Sequence, residues 1–182
     1  MSNIFIIHGA EGNPEENWFP WLKRKLEMLG HRVFVPQFPT PEGQNLENWL
    51  NVLQRYKKDF DKNAIVVGHS LGVLFLLNLL EHHLAKGAFF VAGFDRLPGN
   101  RFDDGMKTFA AHDFDWKKIR AHCQSFHVFH SDNDPYVRLE TAKKLAFHLG
   151  TEVILMKGAG HFNAATGYTS FEALLKQIKE VL

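Results

Sequence analysis

Ala64-Ile65-Val66-Val67-Gly68-His69-Ser70-Leu71-Gly72 is the stretch that decides the fold. Its first four residues are apolar and mostly β-branched, the composition of a buried strand. The next five match G-x-S-x-G, the nucleophile elbow, a sharp strand-to-helix turn that lifts a serine hydroxyl into the open. Glycine is needed on both sides, because the serine backbone is strained there and a neighbouring side chain would strike the adjoining strand or helix. Leu71, Val73, Leu74, Phe75, Leu76, Leu77, Leu79 and Leu80 follow as a run apolar on nearly all sides, as expected of a helix buried behind the serine.

A serine hydroxyl is a poor nucleophile at neutral pH, so Ser70 requires a histidine base and a carboxylate that orients it, in the chain order Ser, Asp, His. Ser131-Asp132-Asn133-Asp134-Pro135 follows the strand-like run Ser125 to Phe129, and His161, in Gly158-Ala159-Gly160-His161-Phe162, follows the strand-like run Glu152 to Met156. All three groups therefore fall past strand ends, where open α/β sheets gather their sites. Ser70 is read as nucleophile, His161 as general base and then acid, and Asp134 as the group that fixes the imidazole tautomer. Asp132 is the rival acid. Asp134 is preferred because Pro135 fixes the chain directly after it and a helix begins there.

An acyl-transfer intermediate also needs donors for its oxyanion, normally the amide after the nucleophile and one from the loop after a central strand. Leu71 supplies the first. Ile4-Phe5-Ile6-Ile7 reads as a buried strand leading into His8-Gly9-Ala10-Glu11-Gly12-Asn13-Pro14, where Ala10 or Glu11 supplies the second, Ala10 being preferred. His8 reads as a residue that orients this loop rather than as a second base.

With His8-Gly9, Gly68-His69-Ser70-Leu71-Gly72, Asp134-Pro135 and Gly160-His161-Phe162 in place, the chain resembles the α/β-hydrolase superfamily. Within it, the likeness is to the small serine hydrolases related to retinoblastoma-binding protein nine, over essentially the whole length. The resemblance implies a minimal hydrolase core, a Ser70, Asp134, His161 triad, no metal and a poorly defined natural substrate. The acid loop continues as Tyr136-Val137-Arg138, where many relatives carry an apolar residue and then proline, and Glu11 stands where small residues are common.

The chain of 182 residues fits one domain, 1–182. It is 45% hydrophobic and 23% charged, and seventeen phenylalanines supply bulky core groups. A formal net charge of +1 argues against a nucleic-acid surface, which needs a basic excess. No apolar run approaches the roughly 20 residues of a membrane span, and the N-terminal apolar stretch is too short for a signal peptide. With Cys123 as the single cysteine, a cytoplasmic location is expected. Eleven histidines invite a metal reading, but His82-His83 point about 100° apart on a helix, and His122, Cys123 and His127 show no zinc spacing. No metal or other cofactor is expected.

Alternating strand and helix patterns predict a three-layer sandwich with a mostly parallel six-stranded sheet, its strands near 3–7, 32–35, 64–67, 87–91, 126–130 and 152–156. Leu46, Trp49, Leu50, Leu53, Tyr56 and Phe60 form one helical stripe, and Tyr168, Phe171, Leu174, Leu175, Ile178 and Leu182 another. Residues 93–122, broken by Pro98, Gly99 and Gly105 and rich in aromatics, read as a small lid or insertion over Ser70, with a plain packed crossover as the alternative. The expected activity is hydrolysis of a small ester, thioester or activated amide through an acyl-enzyme on Ser70, carboxylesterase-like on short acyl chains. The alternative is a binding protein on a hydrolase scaffold, whose partner would be another protein.

Overall fold

The computed structural model describes all residues from Met1 to Leu182. Six strands, β1 (Asn3–Ile7), β2 (Arg32–Phe34), β3 (Ile65–His69), β4 (Gly87–Val91), β5 (Phe126–Ser131) and β6 (Val153–Met156), form one sheet in the order β2-β1-β3-β4-β5-β6. Every adjacent pair is parallel. The helices are α1 (Phe19–Glu27), α2 (Leu46–Gln54), α3 (Leu71–Leu80), α4 (Trp116–His122), α5 (Leu139–Leu149) and α6 (Glu172–Val181), with short 3-10 helices at Asp103–Ala110 and Ala164–Thr166.

Parallel neighbours need crossover connections of one hand, so helices fall on opposite faces when the chain reverses its direction across the sheet. Residues of α2, α3, α4 and α5 pack into a core on one face with Phe5, Val66 and Phe90; α1 and α6 cover the other face with Ile6, Val67 and Phe89. The reversal lies between β1 and β3. The loops leaving these two strands diverge and open a crevice at the carboxyl edge of the sheet, which carries both the Ala10 loop and Ser70.

All ten residues of α3 are buried, in keeping with its all-round apolar sequence between sheet and outer helices. The structure corrects several boundaries. β3 runs on through Gly68 and His69, which pair with Phe90 and Val91, so the strand delivers Ser70 directly into the turn. Both apolar stripes outrun their helices. α2 ends at Gln54, but Tyr56 and Phe60 still bury against Phe5 from the turns that follow, and Tyr168 and Phe171 precede α6 and pack on Phe162. No helix is long and apolar enough to cross a membrane.

The 93–122 segment packs partly into the core and partly along a cavity. Phe94, Phe109 and Phe114 are buried in the core beside α3, while Pro98, Asn100, Arg101, Phe102 and Met106 line the cavity over Ser70, as Phe94 also does. Asn78 of α3 fastens it from below by donating to the Phe109 carbonyl at 2.8 Å. Glu81 accepts from the Asp115 amide at 2.8 Å and pairs with His112 at 2.7 Å.

Candidate active site

Ser70 sits at φ 54, ψ −118, a conformation that side-chain-bearing residues rarely adopt. Its turn exists because nothing but glycine fits beside it. A Cβ on Gly68 would lie 2.9 Å from main-chain atoms of Gly72 and Val73, and one on Gly72 would collide with the Ile7 carbonyl oxygen and lie 2.8 Å from that of His8. Strain gathers around the same place: Glu11, Asn17 and Phe162 also have positive φ, the first two lining the cavity and the third following His161.

Asp134 and His161 are brought together. His161 Nδ1 stands 2.8 Å from Asp134 Oδ2, while Asp134 Oδ1 accepts the amides of Tyr136 and Val137 at 2.9 and 3.0 Å. Burial alone would raise the Asp134 carboxyl, but the hydrogen bond and charge of His161, with the two amides, outweigh it and hold the group below its usual value. A carboxylate can only accept, so Nδ1–H donates to it, and in the neutral ring Nε2 is the nitrogen left bare. Ser70 and His161 line one cavity of about 330 Å³.

Asp132, the rival acid, is used differently: its Oδ1 accepts the Gly158 amide at 2.8 Å, and Asn133 Oδ1 accepts that of Gly160 at 2.8 Å. The acid loop thus holds the histidine loop at three successive residues. From the opposite side His69 Nε2 donates to the His161 carbonyl at 2.8 Å and Trp18 Nε1 to that of Phe162 at 3.1 Å. Burial, with the charge of His161 beside it, pushes His69 down to about 3, so it stays neutral. Its Nδ1 has no hydrogen-bond partner and lies against Gly9, where a Cβ would come within 3.6 Å.

The β1 loop separates the two candidate donors. The Glu11 amide is already committed to Thr40 Oγ1 at 2.7 Å, whereas the Ala10 amide donates to no protein group. Leu71 opens α3, where first-turn amides lack intrahelical partners. Thr40 Oγ1 in turn donates to Gln44 Oε1 at 2.5 Å, and Gln44 Nε2 donates to the Gly105 carbonyl at 2.9 Å, so a chain of hydrogen bonds joins the β1 loop to the insertion. His8 is buried, with Nδ1 donating to the Gly9 carbonyl at 2.8 Å and Nε2 accepting the Phe38 amide at 3.0 Å. Both of its nitrogens are thereby occupied in shaping the loop.

Residues that no local pattern singled out complete the cavity. Glu16 is half-buried there, its carboxyl raised by burial, and Tyr136 lays its ring against His161. No group of three or more His, Cys, Asp and Glu side chains is arranged to hold a metal ion.

A parallel α/β sheet with a strained serine at the reversal point and an Asp–His pair beside it is the architecture of the α/β hydrolases, and the chain belongs to the serine hydrolase family, whose profile it matches over residues 4–180. It is 33% identical over 172 residues to YdeN of Bacillus subtilis, covering 92% of this chain and 89% of that protein. The crystal structure of that ydeN gene product superposes with a TM-score of 0.91 over 100% of this chain and 98% of its own. The serine hydrolase RBBP9 of Rattus norvegicus is 23% identical over 180 residues, covering 97% of this chain and 94% of that protein.

Proposed function

We propose that the protein cleaves small ester, thioester or activated amide substrates through an acyl-enzyme on Ser70. The observation that carries this reading is the 2.8 Å His161–Asp134 pair sharing a cavity with a serine held at positive φ. Ser70 Oγ attacks the substrate carbonyl carbon as His161 Nε2 takes its proton. The resulting oxyanion receives the Leu71 and Ala10 amides. The tetrahedral adduct collapses, the bond to the leaving group breaks, and His161 returns the proton to that group. Water then attacks the acyl-serine by the same route in reverse, releasing the acid and restoring Ser70. Asp134 accepts a hydrogen bond from Nδ1–H throughout, which keeps Nε2 bare in the resting state.

Every group in this sequence is a side chain or amide of the chain itself. A cavity of about 330 Å³ suits short acyl groups, which favours carboxylesterase-like substrates. The one cysteine is a free, buried thiol, in keeping with the cytoplasm. Fluorophosphonate labelling of the purified protein tests the reading, with Ser70→Ala and heat-denatured protein as controls. Labelling lost in Ser70→Ala is the expected result; no labelling of well-folded protein would overturn it and favour a binding scaffold.

A further inference from the structure

His161 is oriented by one side-chain hydrogen bond, and one such bond fixes a nitrogen without fixing the plane of the ring. The direction of Nε2 therefore depends on what flanks the imidazole. On one side stands His69, its ring centroid 4.9 Å away and inclined at 54°, buried and tied to the His161 carbonyl. On another stands Tyr136, its centroid also 4.9 Å away but at 81°, and this residue is 39% exposed. One flank is a fixed part of the core, and the other is a side chain in reach of solvent that must be held by something else.

The insertion holds it. The Phe102 ring meets the Tyr136 ring edge-on at 5.8 Å and 75°, and Asn100 Nδ2 donates to the Tyr136 carbonyl at 3.3 Å. The same residue also serves the acid, because its amide is one of the two that hold Asp134 Oδ1. Backbone and side chain of Tyr136 thus meet both partners of the Asp–His pair.

We infer that Tyr136, braced by Phe102, is a positioning residue: its ring sets the plane of the His161 imidazole, and with it the direction of Nε2 in the cavity shared with Ser70, and makes the base depend on where the insertion sits. The inference rests on the acyl-enzyme reading above. Perpendicular aromatic contacts of this kind are individually modest. A base displaced by about 1 Å, however, loses on the order of 100-fold in rate, so a weak contact at this point has a large kinetic effect. Tyr136 also lines the cavity, so a role in substrate binding would appear in KM, whereas a role through His161 should appear in kcat and leave KM nearly unchanged.

The test is steady-state hydrolysis of a short-chain p-nitrophenyl ester by the full-length protein and by Tyr136→Ala, Tyr136→Phe, Phe102→Ala and the Phe102→Ala/Tyr136→Ala double variant. Thermal melting reports the folding of each. Tyr136→Ala should lose about 10- to 100-fold in kcat with KM within about threefold, because the amide to Asp134 survives and only the ring is gone. Tyr136→Phe, which keeps the ring, should recover kcat to within about threefold. Phe102→Ala should lose a smaller part, and the double variant no more than Tyr136→Ala alone, since the brace acts through the tyrosine. Wild-type kcat in folded Tyr136→Ala, an equal loss in Tyr136→Phe, a loss confined to KM, or additive losses in the double variant would each overturn the inference and leave the acyl-enzyme reading standing. Absence of turnover in the wild type would instead remove that reading, and the inference with it.

Discussion

A single methyl group added at Gly72 should force apart the two segments that carry the proposed oxyanion donors, Leu71 and Ala10. The new Cβ would lie 2.8 Å from the His8 carbonyl oxygen and 3.0 Å from the Ile7 carbonyl carbon, in addition to its collision with the Ile7 oxygen. Contacts to carbon are comfortable near about 3.5 Å, so the end of β1 and the start of α3 must separate by roughly 0.5–1 Å. Neither can yield by turning a side chain, because every atom struck is main chain, and β1 is pinned between β2 and β3. Overpacking of this kind costs about 1–3 kcal/mol, equivalent to a fall in Tm of roughly 3–10 °C for a chain this size. The kinetic effect is larger. Leu71 rides on α3 and Ala10 on the chain leaving β1, and a misplacement approaching 1 Å costs about 100-fold in rate. Gly72→Ala should therefore lose about two orders of magnitude in kcat on a p-nitrophenyl ester, with scanning calorimetry giving the change in Tm. Gly30→Ala is the control: φ there is +86 with nothing within 4 Å, so it should cost only about 1–2 kcal/mol of backbone strain and leave kcat alone. A Gly72→Ala protein with wild-type kcat and Tm would refute the argument that this close approach sets the geometry of the elbow.

Two further outcomes are expected. Asp134→Asn should lower kcat by about 10³- to 10⁴-fold, because the amide no longer selects the tautomer with Nε2 bare, whereas Asp132→Asn should cost about 1–2 kcal/mol in urea unfolding and little in kcat; the reverse pattern would exchange the two roles. Stability should also fall in mild acid. His69 is neutral in the fold down to about 3 but takes up a proton near 6.5 in the unfolded chain, so below pH 6.5 protonation favours unfolding by about 1.4 kcal/mol per pH unit until the folded value is reached. Burial lowers His8, His127 and His130 in the same direction, and Asp134, held below its usual value, adds stability that is lost as pH falls. Urea midpoints should drop clearly from pH 7 to pH 5, with a shallower slope in His69→Gln; identical midpoints would contradict the buried neutral state.

The parts of this molecule legible in its sequence are those written in short-range pattern. The runs at Ile4 to Ile7 and Ala64 to Val67 each carry their own strand signal, and Gly68 and Gly72 are demanded by a turn only five residues long. Composition could not mark where a helix stops while its apolar stripe continues, so Tyr56 and Phe60 read as helical although turns bury them equally well. The candidate site was legible to the same limit. Pro135 favours Asp134 over Asp132, but their separate partners, His161 and Gly158, arrive from beyond another strand. Ala10 and Glu11 differ in role because Thr40, twenty-nine residues beyond Glu11, takes one amide and not the other. Asn133 has no local signature at all, since it matters through Gly160, a partner that the fold supplies.

The hydrogen-bond chain from Glu11 through Thr40 and Gln44 to Gly105 bears on protein engineering. Segments such as 93–122 are natural units for grafting between homologues when a different pocket is wanted. Here the unit is not self-contained: one of its carbonyls terminates a relay that begins at the loop after β1 and passes through two residues outside it. A transplant that exchanged the segment but left unsuited side chains at positions 40 and 44 would import the new pocket wall and slacken the loop after β1 together. The functional module to be moved is therefore discontinuous in sequence, with Thr40 and Gln44 travelling alongside the insertion they support.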